Sequence, residues 1–177
     1  FTDVSLIEWY TPDICTALSL GYINGYPDGT FRPNQAISRQ EIAAILVNIL
    51  SLPKTESAIG SEYRDFHTIP FWSLYAVQSL IAKEYLGGYP DGTLQPTQAL
   101  TRAEAISILD RVIGKRYDQD GIFGPTLHRQ NVTILSPLTL KNTIIKGDVY
   151  LSPALGDEIV ILDNVIIEGT LIIAGGN

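Results

Sequence analysis

A seven-residue segment near the start of the chain returns almost unchanged further on, and this duplication limits the possible folds more than any other feature. Gly25-Tyr26-Pro27-Asp28-Gly29-Thr30-Phe31 recurs as Gly88-Tyr89-Pro90-Asp91-Gly92-Thr93-Leu94, a shift of 63 positions. Pro33, Gln35 and Trp9 return at the same shift as Pro96, Gln98 and Trp72, and Ser38-Arg39-Gln40-Glu41 returns as Thr101-Arg102-Ala103-Glu104. Further upstream the shift is 62, so Asp3 falls on Asp65 and Val4 on Phe66. One extra residue in the second copy accounts for the step. Self-similarity at a fixed period marks a duplicated supersecondary unit.

Each unit reads as helix, long turn, helix. Ile14, Ala17 and Leu18 recur as Val77, Leu80 and Ile81, at helical spacing. Ile42, Ile45, Leu46, Ile49 and Leu50 form a longer stripe, and Ala105, Ile108, Leu109, Val112 and Ile113 repeat it. That pattern predicts one buried face on each second helix. Between the helices, Tyr-Pro-Asp-Gly places Pro at i+1 and Gly at i+3 of a type I turn. Gly114 suits the residue that ends the last helix.

The period changes in the last third. Leu140-Lys141-Asn142-Thr143-Ile144-Ile145-Lys146-Gly147 returns as Leu162-Asp163-Asn164-Val165-Ile166-Ile167-Glu168-Gly169, 22 residues later. Val132 to Leu135 with Ser136-Pro137 resembles Val149 to Leu151 with Ser152-Pro153, a partial earlier rung. Short β-branched runs with Gly corners at this period predict about two coils of a parallel β-helix, with the two Asn stacked inside a corner. Lys141 opposite Asp163 and Lys146 opposite Glu168 predict a solvated ladder of opposite charges.

The reading is therefore an α+β chain: two helix–turn–helix units, then a short parallel β-helix. Its segments are 1–50, a linker 51–62, 63–114, an irregular linker 115–130, and 131–177. The last coil has no cap at Gly175-Gly176-Asn177, which predicts a continuing protein and an edge able to pair with another copy. The chain begins at Phe1 and holds no Met, so a secreted piece of a longer protein is expected.

Charge and composition exclude several functions. A net charge of −7 argues against a general nucleic-acid binder. No apolar run approaches the ~20 residues of a membrane helix. One cysteine, Cys15, gives no intrachain disulfide and no Cys-based metal site, and its position has no apolar counterpart. Asp118-Gln119-Asp120-Gly121 lacks the remaining ligands of a calcium loop. His67 and His128 have no partner at metal spacing. The carboxylates of the strand-rich segment form no catalytic pair, and no cofactor motif is present.

Candidate site residues lie in the repeated motifs. Ser38 with Glu41, and Thr101 with Glu104, have the spacing of a capping box, which assigns them a structural role. That box does not require Arg39 and Arg102. A cation at N1 opposes the helix dipole, so an Arg in both units beside free N–H groups points to an anion site; the other reading is an ion pair to Asp3, Asp65 or a turn carboxylate. Trp9 and Trp72 either stack on a sugar ring or anchor a helix start in the core. Tyr26 and Tyr89 are expected to wall a groove. Gly25 and Gly88 serve backbone geometry and leave room for close approach of a ligand. Asp28 and Asp91 should close local turn bonds. Asp3 and Asp65 should tie each unit's N-terminal segment to its bundle.

The first 114 residues resemble the S-layer homology family. The resemblance rests on Phe1-Thr2-Asp3-Val4, Trp9, the Gly-Tyr-Pro-Asp-Gly-Thr-Phe turn, and Thr101-Arg102-Ala103-Glu104, which is complete, whereas Ser38-Arg39-Gln40-Glu41 departs at two positions. It implies non-covalent anchoring of a secreted protein to the bacterial cell wall or surface layer, through an anionic secondary wall polysaccharide that often bears pyruvate ketals. Family members usually carry three units with ligand grooves between neighbours; here there are two, so a third would come from upstream sequence or another chain. Arg39 and Arg102 would hold the carboxylate, and Trp9, Trp72, Tyr26, Tyr89, Gly25 and Gly88 would line the sugar. Two other expectations stand beside this one. The β-helix could belong to a polysaccharide-degrading enzyme, although this piece itself reads as non-enzymatic. It could instead be a spacer in a self-assembling surface layer.

Overall fold

The computed structural model describes residues 1–52 and 59–174. Pro53 of the expected linker and the uncapped end at 175–177 lie outside the described residues. The chain forms two compact units, Phe1–Ala105 and Ile106–Asn177.

In the first unit, helix α1 spans Thr11–Ser19 and α2 Arg39–Ile49. A 3-10 turn at Phe66–Thr68 precedes α3, Phe71–Ala82. Helix α4, Arg102–Ile113, starts in this unit. Each repeat thus supplies two helices, as the stripes predict. Both turns close as type I requires: the Gly29 amide donates to the Tyr26 carbonyl (2.9 Å) and the Gly92 amide to that of Tyr89 (3.0 Å). Asp28 accepts from the Thr30 amide and hydroxyl, and Asp91 from those of Thr93, so both carboxylates close their own turn.

The core lies where α2 packs on α3. Here the buried face differs from the expected stripe. The most buried residues of α2 are Arg39, Gln40, Ala43, Leu46 and Val47, while Ile42 and Ile45 are half-buried and Ile49 is exposed. The reason is a neighbour that periodicity within one helix cannot show. Small Ala43, fully buried, permits close approach of α3, and α3 answers with buried Ser73, Ala76, Val77, Ser79 and Leu80. Gln40 and Ser73 join across this contact by a side-chain hydrogen bond of 3.2 Å.

The second unit is built of short parallel strands. They are β1 Lys115–Tyr117, β2 Gly121–Phe123, β3 Thr126–His128, β4 Val132–Ile134, β5 Leu138–Ile145, β6 Val149–Leu151, β7 Val160–Ile167 and β8 Leu171–Ile173. One sheet runs β1-β4-β6-β8, and in the other β5 pairs with β2, β3 and β7. The segment 115–130, expected to be irregular, therefore carries three strands, and the stack begins at Lys115. The period is also not uniform. Lys115 pairs with Val132 and Val132 with Val149, 17 residues apart; Val149 then pairs with Leu171, 22 apart. A 3-10 turn at Pro153–Leu155 lies in the longer rung. Strands of three residues alternate too briefly to register as strands in a sequence pattern, which is why the first rung was hidden.

Val132, Ile134, Leu140, Ile145 and Val149 fill the interior of this stack. The two asparagines do stack, with Asn164 Nδ2 donating to Asn142 Oδ1 at 2.7 Å, but both are exposed rather than inside a corner. Both hold positive φ (48° and 54°), a conformation Asn tolerates well, and that bend turns their side chains outward. The charge ladder is present: Lys146 lies 2.5 Å from Glu168 and Lys141 3.6 Å from Asp163. Gly114, with φ 65°, ends α4 by donating to the Asp110 carbonyl.

Candidate functional site

Both second helices begin with a complete box. At α2 the Ser38 amide donates to Glu41 Oε2 (2.7 Å), and the Ser38 hydroxyl accepts from the Glu41 amide. At α4 the Thr101 amide donates to Glu104 Oε2 (2.8 Å), and Thr101 Oγ1 accepts from the Glu104 amide (3.2 Å). The remaining carboxylate oxygen is taken by the turn tyrosine. Tyr26 donates to Glu41 Oε1 at 2.5 Å, and Tyr89 donates to Glu104 Oε1. Both tyrosines are half-buried. Their hydroxyls lock turn to helix within each repeat.

These bonds set the charge state of the boxes. The Tyr89 hydroxyl, with the Thr101 amide and hydroxyl, lowers the Glu104 carboxyl from 4.5 to about 2. Burial pushes Glu41 upward, but the bonds from Ser38 and Tyr26 outweigh it and hold Glu41 below its usual range. Both boxes are anionic at neutral pH.

Asp3 accepts from the amides of Phe31 and Arg32 (2.8 and 2.7 Å), and Asp65 from those of Leu94 and Gln95 (2.7 and 2.8 Å). Each N-terminal segment is tied to its turn in this way. The same segment explains the glycines. A Cβ on Gly25 would strike the Phe1 ring and stand 2.8 Å from the Thr30 carbonyl; one on Gly88 would strike the Tyr63 ring and stand 2.8 Å from the Thr93 carbonyl. Phe1 and Tyr63 are repeat equivalents at the 62-residue shift.

The two arginines differ completely. Arg39 is 5% exposed. Its Nε donates to the Leu94 carbonyl (2.8 Å), its Nη2 to the Gly87 carbonyl (2.5 Å), and its Nη1 lies 3.5 Å from Glu104 Oε1. Its guanidinium also sits 4.7 Å from the centre of the Tyr89 ring. Expected at an anion site, Arg39 is spent instead on joining the first repeat to the second. Its main chain does the same, with the Arg39 amide donating to Gln98 and the Gln40 amide to Pro96. Arg102 occupies the equivalent N1 position of α4 and is exposed, with no hydrogen bond or ion pair among the described residues.

Trp9 is 82% exposed and Trp72 is exposed too. Neither anchors the core. Trp9 meets Tyr10 edge-on at 5.4 Å. The structure thus brings Arg39, Tyr89, Thr101 and Glu104 together, and Tyr26, Ser38 and Glu41 together. It leaves Arg102, Trp9 and Trp72 open to solvent. Sequence reasoning missed Arg32, which stacks over the Tyr26 ring at 3.9 Å and pairs with Asp28 at 2.9 Å. Its counterpart is Gln95, so comparison of the two copies at that position was the available signal.

A pair of helical repeats, each with a capped second helix wired to a Gly-Tyr-Pro-Asp-Gly turn, defines a tandem-repeat module. Residues 1–43 and 62–106 each match the S-layer homology domain, and through these two repeats the chain belongs to that family. It is 29% identical over 120 residues to cell surface glycoprotein 1 of Acetivibrio thermocellus, covering 64% of this chain and 5% of that protein. It is 32% identical over 114 residues to the cellulosome-anchoring protein of the same organism, covering 63% of this chain and 25% of that one. An endoglucanase of Bacillus sp. (strain KSM-635) is 30% identical over 123 residues, covering 66% of this chain and 13% of the enzyme. The chain thus spans a quarter or less of these relatives. The family and its surface-layer relatives place the chain outside the cell, at the bacterial wall. Among the described residues no helix is long and apolar enough to cross a membrane.

Proposed function

We propose that this chain anchors the protein that carries it, non-covalently, to the bacterial wall by holding an anionic secondary cell wall polysaccharide, one bearing pyruvate ketals. Two S-layer homology units, 1–50 and 63–114, form the binding part, and a parallel β-helix starting at Lys115 follows them in the chain. The module binds rather than catalyses. The relative named endoglucanase shares this region over only 13% of its own length, which fits a module added to enzymes and structural proteins alike. A third unit from upstream sequence or another chain completes the grooves.

The contrast between the two arginines carries the reading. Arg39 has its donors filled inside the module, whereas Arg102 stands free at the first turn of a capped helix, where backbone N–H groups and the helix dipole favour an anion. A planar guanidinium suits a ketal carboxylate bidentately. Exposed Trp9 and Trp72 offer flat apolar faces to sugar rings. Arg39, Tyr26, Tyr89, Gly25 and Gly88 serve by holding the repeats and turns in place.

Pull-down with purified wall glycan tests this. The chain should bind pyruvylated glycan and not the depyruvylated form. Arg102→Ala should weaken binding roughly tenfold or more, the loss of one charge-assisted contact. Equal binding to both glycans, or none lost with Arg102→Ala, sinks the proposal.

A further inference from the structure

The start of the first turn carries a covalent weakness that the second turn lacks. Asn24 precedes Gly25, and both are exposed. Their repeat equivalents are Gly87 and Gly88. An asparagine followed by glycine can cyclise, because no Cβ on the glycine crowds the approach of its nitrogen to the side-chain carbonyl carbon. A hydrogen bond that occupies the glycine N–H keeps that nitrogen from the attack. In the second repeat such a bond exists: the Gly88 amide donates to the Tyr63 hydroxyl at 3.3 Å. The first repeat has Phe1 in that place, a ring set against the glycine in the same way but with no hydroxyl to accept. Among the described residues the Gly25 amide therefore has no hydrogen-bond partner, and neither has the Asn24 side chain.

Other asparagines are placed differently. The amide after Asn34 donates to the Arg32 carbonyl (3.0 Å), and the amide after Asn131 to that of Asp148 (2.9 Å). Asn48 lies within α2, with its side chain bound to the Tyr22 carbonyl at 3.2 Å. Asn142 and Asn164 bond each other and precede β-branched Thr143 and Val165, which crowd the approach. The Asp-Gly pairs of the two turns are closed as well, since the Gly29 and Gly92 amides are both bonded.

We propose that Asn24-Gly25 is a self-modification site, where Asn24 converts without an enzyme to aspartate and isoaspartate. The Gly25 nitrogen loses its proton and bonds to Asn24 Cγ; the Cγ–Nδ2 bond breaks, and ammonia leaves with that proton. Water then opens the cyclic imide at one of its two carbonyls. One opening gives aspartate; the other gives isoaspartate, in which the main chain runs through the former side chain. Both products add a negative charge to the first repeat. Isoaspartate also puts an extra methylene into the main chain. It lies just before Tyr26, whose amide bonds the Thr30 carbonyl at 2.8 Å and whose hydroxyl bonds Glu41. The isoaspartate form therefore loses the lock of turn to helix in the first repeat alone. None of this chemistry involves the glycan.

The test is peptide mapping by mass spectrometry of the folded chain during warm incubation in mildly alkaline buffer, with the chain unfolded in guanidinium chloride as reference. The peptide holding Asn24 should gain about one dalton, NH2 replaced by OH, ahead of the other asparagines of the described residues. Phe1→Tyr restores the hydroxyl of the second repeat and should slow the conversion roughly two- to tenfold, the worth of one hydrogen bond. Asn24→Gly copies the second repeat and should abolish it. The isoaspartate fraction, separated chromatographically, should melt below the unmodified chain by circular dichroism. Conversion of Asn24 only in the unfolded chain overturns the proposal, as does earlier conversion of another asparagine. Equal rates in the wild type and a folded Phe1→Tyr overturn it too, and so does an isoaspartate fraction that melts with the unmodified chain. If Phe1→Tyr fails to fold, the comparison of folded with unfolded wild type still decides.

Discussion

The charge on Glu104 depends on its surroundings more than on its position. Its carboxyl receives the Tyr89 hydroxyl and both polar groups of Thr101, which lowers it from 4.5 to about 2. A group whose pKa is lower in the folded chain than in the unfolded one stabilises the fold above the unfolded value, and loses that contribution as pH falls through the folded one. The contribution of Glu104 is therefore complete above 4.5 and fades between 4.5 and about 2. Glu104→Gln keeps one oxygen to accept from the Thr101 amide, places an NH2 donor where Oε1 faced Tyr89, and removes the titration. Its melting temperature should fall less steeply than the wild type's across that window, measured by circular dichroism. Parallel curves would show that the box does not sense acid. Most features at this scale were legible in the sequence, because they are local. The box is a spacing of three, the Asp28 and Asp91 bonds span two residues, and the ties of Asp3 and Asp65 follow from their repeat position. The closeness of Phe1 to Gly25 and of Tyr63 to Gly88 was not legible, since it depends on where a distant segment crosses the turn.

Between elements, the same four-residue motif produces opposite outcomes. Ser38-Arg39-Gln40-Glu41 and Thr101-Arg102-Ala103-Glu104 start helices identically, yet Arg39 is buried in a joint and Arg102 faces solvent. No sequence pattern distinguishes them, because the difference lies in which repeat packs beside which. The energetic consequence is direct. Arg39 satisfies two main-chain carbonyls with a rigid, forked guanidinium. A lysine is a single point charge on a flexible stem and cannot reach both. Arg39→Lys should destabilise the first unit by about 1.5–3 kcal/mol, the worth of bonds to a charged group together with the carbonyl left buried. Arg102→Lys should stay within about 0.5 kcal/mol, as exposed positions do. Urea denaturation in dilute solution measures both, and equal effects would remove the joint from the account of stability. The strand stack shows the complementary limit. Its second and third rungs share an eight-residue match and were legible. The first rung, β1 to β3, shares almost no residues with them, although it continues the same parallel ladders and adds Tyr117 and Phe123 to the core of the stack.

At the scale of the whole molecule, charge limits how an anionic polymer can be held. Residues 1–114 contain 7 basic and 12 acidic side chains, and residues 115–177 contain 5 and 7. The repeats proposed to bind a polyanion are thus net negative, and so is the rest. Their mean field repels the ligand, and any attraction comes from a few placed donors such as Arg102. The two effects differ in range. Repulsion between net charges acts over tens of ångströms at low salt and is screened beyond about 10 Å at 0.1 M, whereas a guanidinium–carboxylate contact of about 3 Å is screened far less. Raising ionic strength from about 0.02 to 0.15 M should therefore leave the affinity for pyruvylated glycan unchanged or improve it. A protein that relies on a basic surface loses affinity steeply over the same range, because it gives up counterion release. Titration calorimetry at several salt concentrations separates the two cases. A steep fall in affinity with salt would mean that binding runs through a basic patch that the charge distribution does not contain, and the assignment to Arg102 would have to be abandoned.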